Sequence, residues 1–209
     1  MSLSWTPDVM TEKQIVYNID DQDSISIYVH IPFCISKCVY CDFNSYAGLE
    51  SYIPSYFEAL EKEALLYSTD VGQKQINTIF IGGGTPSMVA PKLIVQIMNI
   101  LLKNFQINYQ AEITIECNPG TLDIEKLKEY RHCGINRLSL GVQSSYDAHL
   151  KFLGRVHNWV DFLDSIDMAH KAGFNNISAD LIFGIPEQKM NQWEKSINDV
   201  TSLGMKHLS

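Results

Sequence analysis

The sequence has no excess of positive charge and no clear basic stripe. Its 209 residues contain 16 lysines and arginines against 24 aspartates and glutamates, which gives a formal net charge of −8. A surface that grips nucleic acid normally shows a basic excess. This charge balance therefore argues against a nucleic-acid partner.

Long hydrophobic runs and a secretory signal are lacking as well. The most apolar window, residues 93–102, is interrupted by Gln96 and Asn99, and it is far shorter than the roughly 18 residues that read as a membrane span. The first residues, MSLSWTPDVMTEKQ, show no basic cluster followed by an apolar stretch. We therefore expect no transmembrane segment and a cytoplasmic location.

Cysteine is scarce and unevenly distributed. Three of the five cysteines, Cys34, Cys38 and Cys41, fall within eight residues. So few cysteines, without a secretion signal, argue against a disulfide framework and favour reduced thiols. The clustered thiols are therefore predicted to bind a metal, whereas Cys117 and Cys133 are expected to be small buried residues.

Short β-branched runs alternate with segments of helical spacing along most of the chain. The runs cover residues 25–30, 78–81, 112–116, 137–140 and 177–182, and the helical segments cover residues 52–67, 92–102, 123–133, 160–171 and 192–203. This alternation predicts parallel βαβ units, in either an open doubly wound sheet or a barrel. Residues 1–24 are expected to be an N-terminal extension. Residues 205–209 resemble the start of a sixth strand, so we expect a fragment truncated there.

The cysteine loop follows the first predicted strand directly. Its C-x3-C-x2-C spacing suits a [4Fe–4S] cluster in which three thiolates hold three irons and the fourth iron stays open. The alternative is zinc, with His30 as a possible fourth ligand. The spacing of the cysteines alone does not decide between these metals.

Polar and glycine-rich turns follow the other predicted strands. The stretch GGGTPS, residues 82–87, lacks the Gly-Lys-Ser/Thr ending of a phosphate loop, and it is not the spaced dinucleotide fingerprint. Its glycines would let backbone N–H groups approach a ligand. Glu116, Gln143 and Asp180 stand at later strand ends, and Arg155 follows in a loop. Because the ends of parallel strands converge, these residues predict a site for a small, partly anionic ligand beside the metal.

Several motifs in one register resemble the radical S-adenosylmethionine (SAM) superfamily. Within it, the chain resembles the oxygen-independent coproporphyrinogen III oxidase group. The motifs are YVHIPFC, CDFNS, GGGTPS, IECNP, LSLGVQS, LGRVHN and DLIFGIP. The resemblance implies an α/β fold, a partial (β/α)6 TIM-like barrel that forms the core domain over residues 25–209, without the family's C-terminal part.

The resemblance also implies the cofactors. Cys34, Cys38 and Cys41 would hold a [4Fe–4S] cluster, and SAM would bind its open iron. Reduction by a flavodoxin- or ferredoxin-type donor would cleave SAM to methionine and a 5′-deoxyadenosyl radical. The implied SAM contacts are Tyr28, Tyr40, Gly83, Gly84, Thr85, Glu116, Gln143, Arg155 and Asp180.

One position separates two branches of this group. The oxidase branch is similar to C-x3-C-x2-C-x-C, whereas this chain has Phe43 in place of the last cysteine. Phe43 favours the HemW-type heme chaperone branch, which binds heme and delivers it to hemoproteins. The alternative is an enzyme that acts on coproporphyrinogen III, so whether the protein is an enzyme stays open. His157 and His170 are expected to be structural.

Overall fold

A computed structural model describes residues 24–209 and places six strands in one parallel sheet. In chain order the strands are β1 (Ser24–Ile31), β2 (Phe33–Cys34), β3 (Tyr46–Ala47), β4 (Gln75–Gly83), β5 (Gln106–Cys117), β6 (Arg137–Gln143), β7 (Ile177–Leu181) and β8 (His207–Leu208). The main sheet has the order β1-β4-β5-β6-β7-β8, and each neighbouring pair is parallel. The short strands β2 and β3 pair separately.

Helices connect the strands of the main sheet and cover one of its faces. They are α1 (Ile53–Val71), α2 (Pro91–Asn104), α3 (Ile124–His132), α4 (Asp147–Phe152), α5 (Trp159–Lys171) and α6 (Met190–Thr201). Helix α1 contacts α2, α2 contacts α3, and α3 contacts α5. None of the helices within residues 24–209 is both long and apolar enough to cross a membrane.

The two faces of the sheet differ in chemistry because side chains alternate along each strand. Ile81, Ile115 and Leu140 are fully buried in the hydrophobic core. The opposite, concave face presents polar side chains such as Glu116 and Asp180. The carboxyl ends of the strands therefore surround a polar site above an apolar core.

The predicted fold class, a partial (β/α)6 barrel of the radical SAM type, is confirmed. Each predicted strand and helix is present, and β8 confirms a sixth strand within residues 205–209. The predicted extension lies outside the described residues, except for Ser24, which begins β1. Helix α4 was not predicted.

Candidate functional site

The cysteine loop is fixed at both ends by backbone hydrogen bonds. Cys34 ends β2, which pairs with β3, and the Tyr46 N–H donates to the Pro32 carbonyl at 2.7 Å. The Val39 N–H donates to the Leu153 carbonyl at 3.3 Å, which ties the middle of the loop to the turn after α4. The loop is therefore held between β1 and α4.

Two of the three thiols have a donor group beside them. Thr85 Oγ1 lies 3.6 Å from Cys34 Sγ, and Arg155 Nη1 lies 3.6 Å from Cys38 Sγ. Hydroxyl and guanidinium groups beside a cysteine sulfur can donate hydrogen bonds to the sulfurs that ligate an iron–sulfur cluster. All three cysteines, Cys41 included, are free and line one cavity, so this donor set fits a cluster with three thiolate ligands.

His30 does not favour the zinc alternative. Its Nε2 donates to the Asn44 carbonyl at 2.8 Å, so in the neutral ring Nδ1 accepts from the Tyr28 hydroxyl at 3.0 Å. Both ring nitrogens are therefore engaged. Within residues 24–209, no three His, Cys, Asp or Glu side chains lie close enough to hold a single metal ion.

The glycine-rich turn packs against the cysteine loop without room for side chains. A Cβ on Gly84 would lie 2.6 Å from the Phe33 carbonyl oxygen and 2.9 Å from Cys34 Sγ. Gly83 has a φ of 120°, which favours glycine. The N–H groups of Gly83, Gly84 and Thr85 donate to Glu116, the Ile31 carbonyl and the Phe33 carbonyl. The N–H groups of Gly83 and Gly84 are therefore paired within the protein, which does not support the expectation that they approach a ligand.

Two carboxyl groups face the cavity from the ends of β5 and β7, the two strands that flank β6. Burial raises the pKa of Glu116, although the Gly83 N–H at 3.0 Å favours its carboxylate. Burial also raises the pKa of Asp180, opposed by a hydrogen bond from Ser139 at 3.5 Å. A ligand carrying positive charge would offset the desolvation of these two groups.

Arg155 brings a cation to the same cavity. Its Nη2 donates to the Gly141 carbonyl at 2.8 Å and its Nη1 to the Tyr40 hydroxyl at 3.3 Å. Its Nε is buried and has no hydrogen-bond partner in the described part of the chain. A buried N–H without a partner is costly, so this guanidinium is suited to a ligand carboxylate.

The cavity has a volume of about 360 Å³ and brings together ten of the twelve predicted site residues. They are Cys34, Cys38, Cys41, Tyr40, Gly84, Thr85, Glu116, Gln143, Arg155 and Asp180. Tyr28 and Gly83 are not part of its lining. Tyr28 lies on the concave face, where it is 57% exposed and its ring stacks on Phe80. Gly83 donates its N–H to the Glu116 carboxylate, and it is Glu116 that lines the cavity.

Sequence reasoning did not single out several residues of the cavity wall, among them Asn118, Ser139 and Gly141. Asn118 directly follows β5, so its position at the carboxyl end of a predicted strand could have indicated a site residue. Ser139 and Gly141 lie inside β6, where no strand-end signal applies. A Cβ on Gly141 would lie 2.7 Å from Gln143 Nε2 and 3.1 Å from Arg155 Nη2, so this glycine leaves space for both side chains.

His157 packs behind this wall, as the structural interpretation expects. It is only 4% exposed, and its Nδ1 lies 3.0 Å from Asn118 Oδ1. Since the Gly120 N–H donates to the same oxygen at 3.3 Å, His157 Nδ1 is the donor. Burial, and to a smaller extent the charge of Arg155, lowers the pKa of His157 from 6.5 to about 4. The ring is therefore neutral at physiological pH.

This low pKa predicts a pH-dependent stability. In the unfolded chain His157 is protonated below its ordinary pKa of 6.5. In the folded chain it is protonated only below its lowered pKa of about 4. Stability is therefore lost as the pH falls through this window, by about 3 kcal/mol in total. Urea unfolding at pH 7 and pH 4 should show that His157→Gln removes this loss. An equal acid loss in wild type and variant would contradict the assignment.

Comparison with known proteins identifies the class. Residues 28–200 match the family model described as the radical SAM superfamily. The chain belongs to the radical SAM superfamily, and this membership implies a [4Fe–4S] cluster and SAM. The cysteine loop and the cavity beside it are the part of the fold that fits them.

Similar proteins narrow this class further. The chain is 41% identical over 185 residues to the heme chaperone HemW of Bacillus subtilis, covering 88% of this chain and 49% of that protein. It is 35% identical over 190 residues to HemW of Escherichia coli, covering 88% and 49%. It also matches the solved structure of coproporphyrinogen III oxidase, HemN, from Escherichia coli, with a TM-score of 0.82, 31% identity, and coverage of 88% and 43%. The chain lies in the HemN/HemW-like group and spans about half the length of the curated relatives it matches.

Proposed function

We propose that this protein is a heme chaperone of the HemW type, which binds a [4Fe–4S] cluster, SAM and heme and delivers heme to hemoproteins. The observation that carries the proposal is that three free thiols, Arg155 and two carboxyl groups line the same cavity. The similarity to HemW proteins supports the heme part. Free thiols throughout agree with a reducing compartment such as the cytoplasm.

Different residues of the cavity would bind the cluster and SAM. Cys34, Cys38 and Cys41 would hold the cluster, which when bound supplies one-electron chemistry and an open iron for SAM. Arg155 would hold the SAM carboxylate, with its unpartnered Nε as a further donor. Glu116 and Asp180 would face the positively charged groups of SAM. The other predicted SAM contacts would complete the site, and a flavodoxin- or ferredoxin-type protein would supply the electron.

A second candidate is an oxygen-independent coproporphyrinogen III oxidase, which the similarity to HemN favours. Phe43 argues against it. This side chain lines the cavity and is 65% exposed, at the position where the oxidase pattern has a further cysteine. An apolar ring cannot coordinate a metal or transfer a proton. This position therefore presents an apolar surface to the cavity and no catalytic group.

Heme titration separates the two candidates. Hemin is added to the anaerobically reconstituted protein, and bound heme is measured after gel filtration. We expect about one heme per chain and no protoporphyrinogen IX from coproporphyrinogen III under reducing conditions with SAM. Turnover of the porphyrinogen without retained heme would overturn the chaperone proposal and establish the oxidase instead.

A further inference from the structure

The backbone at Gln143 adopts a strained turn at the edge of the cavity. Its φ is 64°, a left-handed value that residues with a Cβ rarely adopt. The Ser144 N–H donates to the Val142 carbonyl at 2.8 Å, across Gln143 alone. This pattern is a γ-turn with positive φ at its centre, a rare and strained conformation.

The strained turn decides where the Gln143 side chain lies. The side chain is 8% exposed and passes over Gly141, beside the guanidinium of Arg155. The Gln143 carbonyl accepts from the Ile182 N–H at 3.0 Å, and Ile182 also lines the cavity. By the alternation along β6, Gln143 belongs to the same face as Ser139 and Gly141. A backbone with negative φ at Gln143 would rotate its Cα–Cβ bond about the N–Cα bond and so aim the side-chain amide away from the Arg155 guanidinium.

A buried hydroxyl network holds the chain just after this turn. Ser196 of α6 is fully buried, and its Oγ accepts from the Ser145 N–H at 3.2 Å. The hydroxyls of Ser144 and Ser145 lie 3.5 and 3.2 Å from the same oxygen. Ser144 Oγ also lies 2.9 Å from His149 Nδ1 and accepts from the Tyr146 N–H at 3.1 Å. The network therefore joins α4 and α6 to the two residues that follow Gln143.

We infer that Ser196 is a positioning residue for the SAM site and acts through Gln143. Strained backbone persists only where surrounding contacts over-determine it, and the Ser196 hydroxyl makes the contacts that join the turn to α6. Without this hydroxyl the γ-turn relaxes, and the Gln143 amide leaves its place beside Arg155. The inference rests on the proposed function, because it takes Gln143 to face bound SAM.

A double-mutant cycle on SAM affinity tests the inference. Dissociation constants are measured by equilibrium dialysis of SAM against the anaerobically reconstituted full chain. Ser196→Ala should weaken SAM binding about fivefold to tenfold, the scale of one or two buried hydrogen bonds. In Gln143→Gly, which has no side chain to place and no strain at positive φ, adding Ser196→Ala should change the affinity less than twofold.

Thermal stability separates positioning from general weakening of the fold. Ser196→Ala should lower the melting temperature similarly in both backgrounds, whereas its effect on SAM affinity should depend on Gln143. Ser202→Ala, an exposed hydroxyl past the end of α6, should leave SAM affinity unchanged. Equal effects of Ser196→Ala on affinity in both backgrounds, or none in either, would overturn the inference. A wild-type chain that does not bind SAM would overturn the proposed function as well.

Discussion

Replacing Cys38 with serine is expected to reduce the iron content of the reconstituted protein from about four per chain to below one. The serine hydroxyl is not ionised at neutral pH, so the variant offers two thiolates where the cluster needs three. Arg155 Nη1, which lies 3.6 Å from Cys38 Sγ, would lose this sulfur but keep the Tyr40 hydroxyl at 3.3 Å. Iron and sulfide analysis after anaerobic reconstitution measures the effect directly.

Cys133→Ala is the matched control for this experiment. Cys133 is a buried cysteine at the end of α3, and its thiol donates to the Tyr130 carbonyl, away from the cavity. This variant should keep its iron, because the thiol it loses is no ligand. If Cys38→Ser retained about four irons, or if Cys133→Ala lost them, the assignment of the three ligands would be wrong.

Replacing Gly84 with alanine is expected to destabilise the protein by about 1–3 kcal/mol, the usual cost of overpacking. The added methyl group would lie 2.6 Å from the Phe33 carbonyl oxygen, which is backbone and cannot rotate away. It would also lie 2.9 Å from Cys34 Sγ, so the strain falls on a predicted ligand of the cluster. We therefore expect a loss of bound iron together with the loss of stability, measured by thermal unfolding and iron analysis on the same samples.

Gly120→Ala provides the comparison. Gly120 lies in the turn after β5, and a Cβ there would lie 3.5 Å from the Cβ of His157, an ordinary van der Waals contact. This variant should unfold within about 1 kcal/mol of wild type and keep its iron. Similar behaviour of the two variants would mean that close packing of the glycine turn on the cysteine loop is not what holds Cys34 in place.

The sequence predicted the architecture because its signals are local and repeated. The β-branched runs mark the parallel strands, and the turns after them mark the ends that converge, which is why residues as distant as Cys34 and Asp180 were expected at one site. Helix α4 escaped prediction because its six residues are too few to establish a helical period. It nevertheless precedes the turn to which the cysteine loop is tied.

Other features depend on contacts between distant segments and carry no local signal. The residues around Gln143 in the sequence do not predict its left-handed backbone. The contacts that hold this backbone come from the end of β7 and from α6, which are distant in the sequence.

The glycine run was predicted to let the backbone approach a ligand. At Gly84 the close neighbours of an added Cβ are instead the Phe33 backbone and Cys34 Sγ, and at Gly83 they include the His30 ring. Tyr28, which the resemblance implies as a SAM contact, is not part of the cavity lining.

The proposed function depends on three cysteines that hold a cluster whose open iron binds SAM. The measurement is iron and zinc analysis of the anaerobically reconstituted protein, together with electron paramagnetic resonance spectra of its reduced form with and without SAM. We expect about four irons per chain and a cluster signal that shifts when SAM is added. Stoichiometric zinc, or a cluster signal that SAM leaves unchanged, would contradict it.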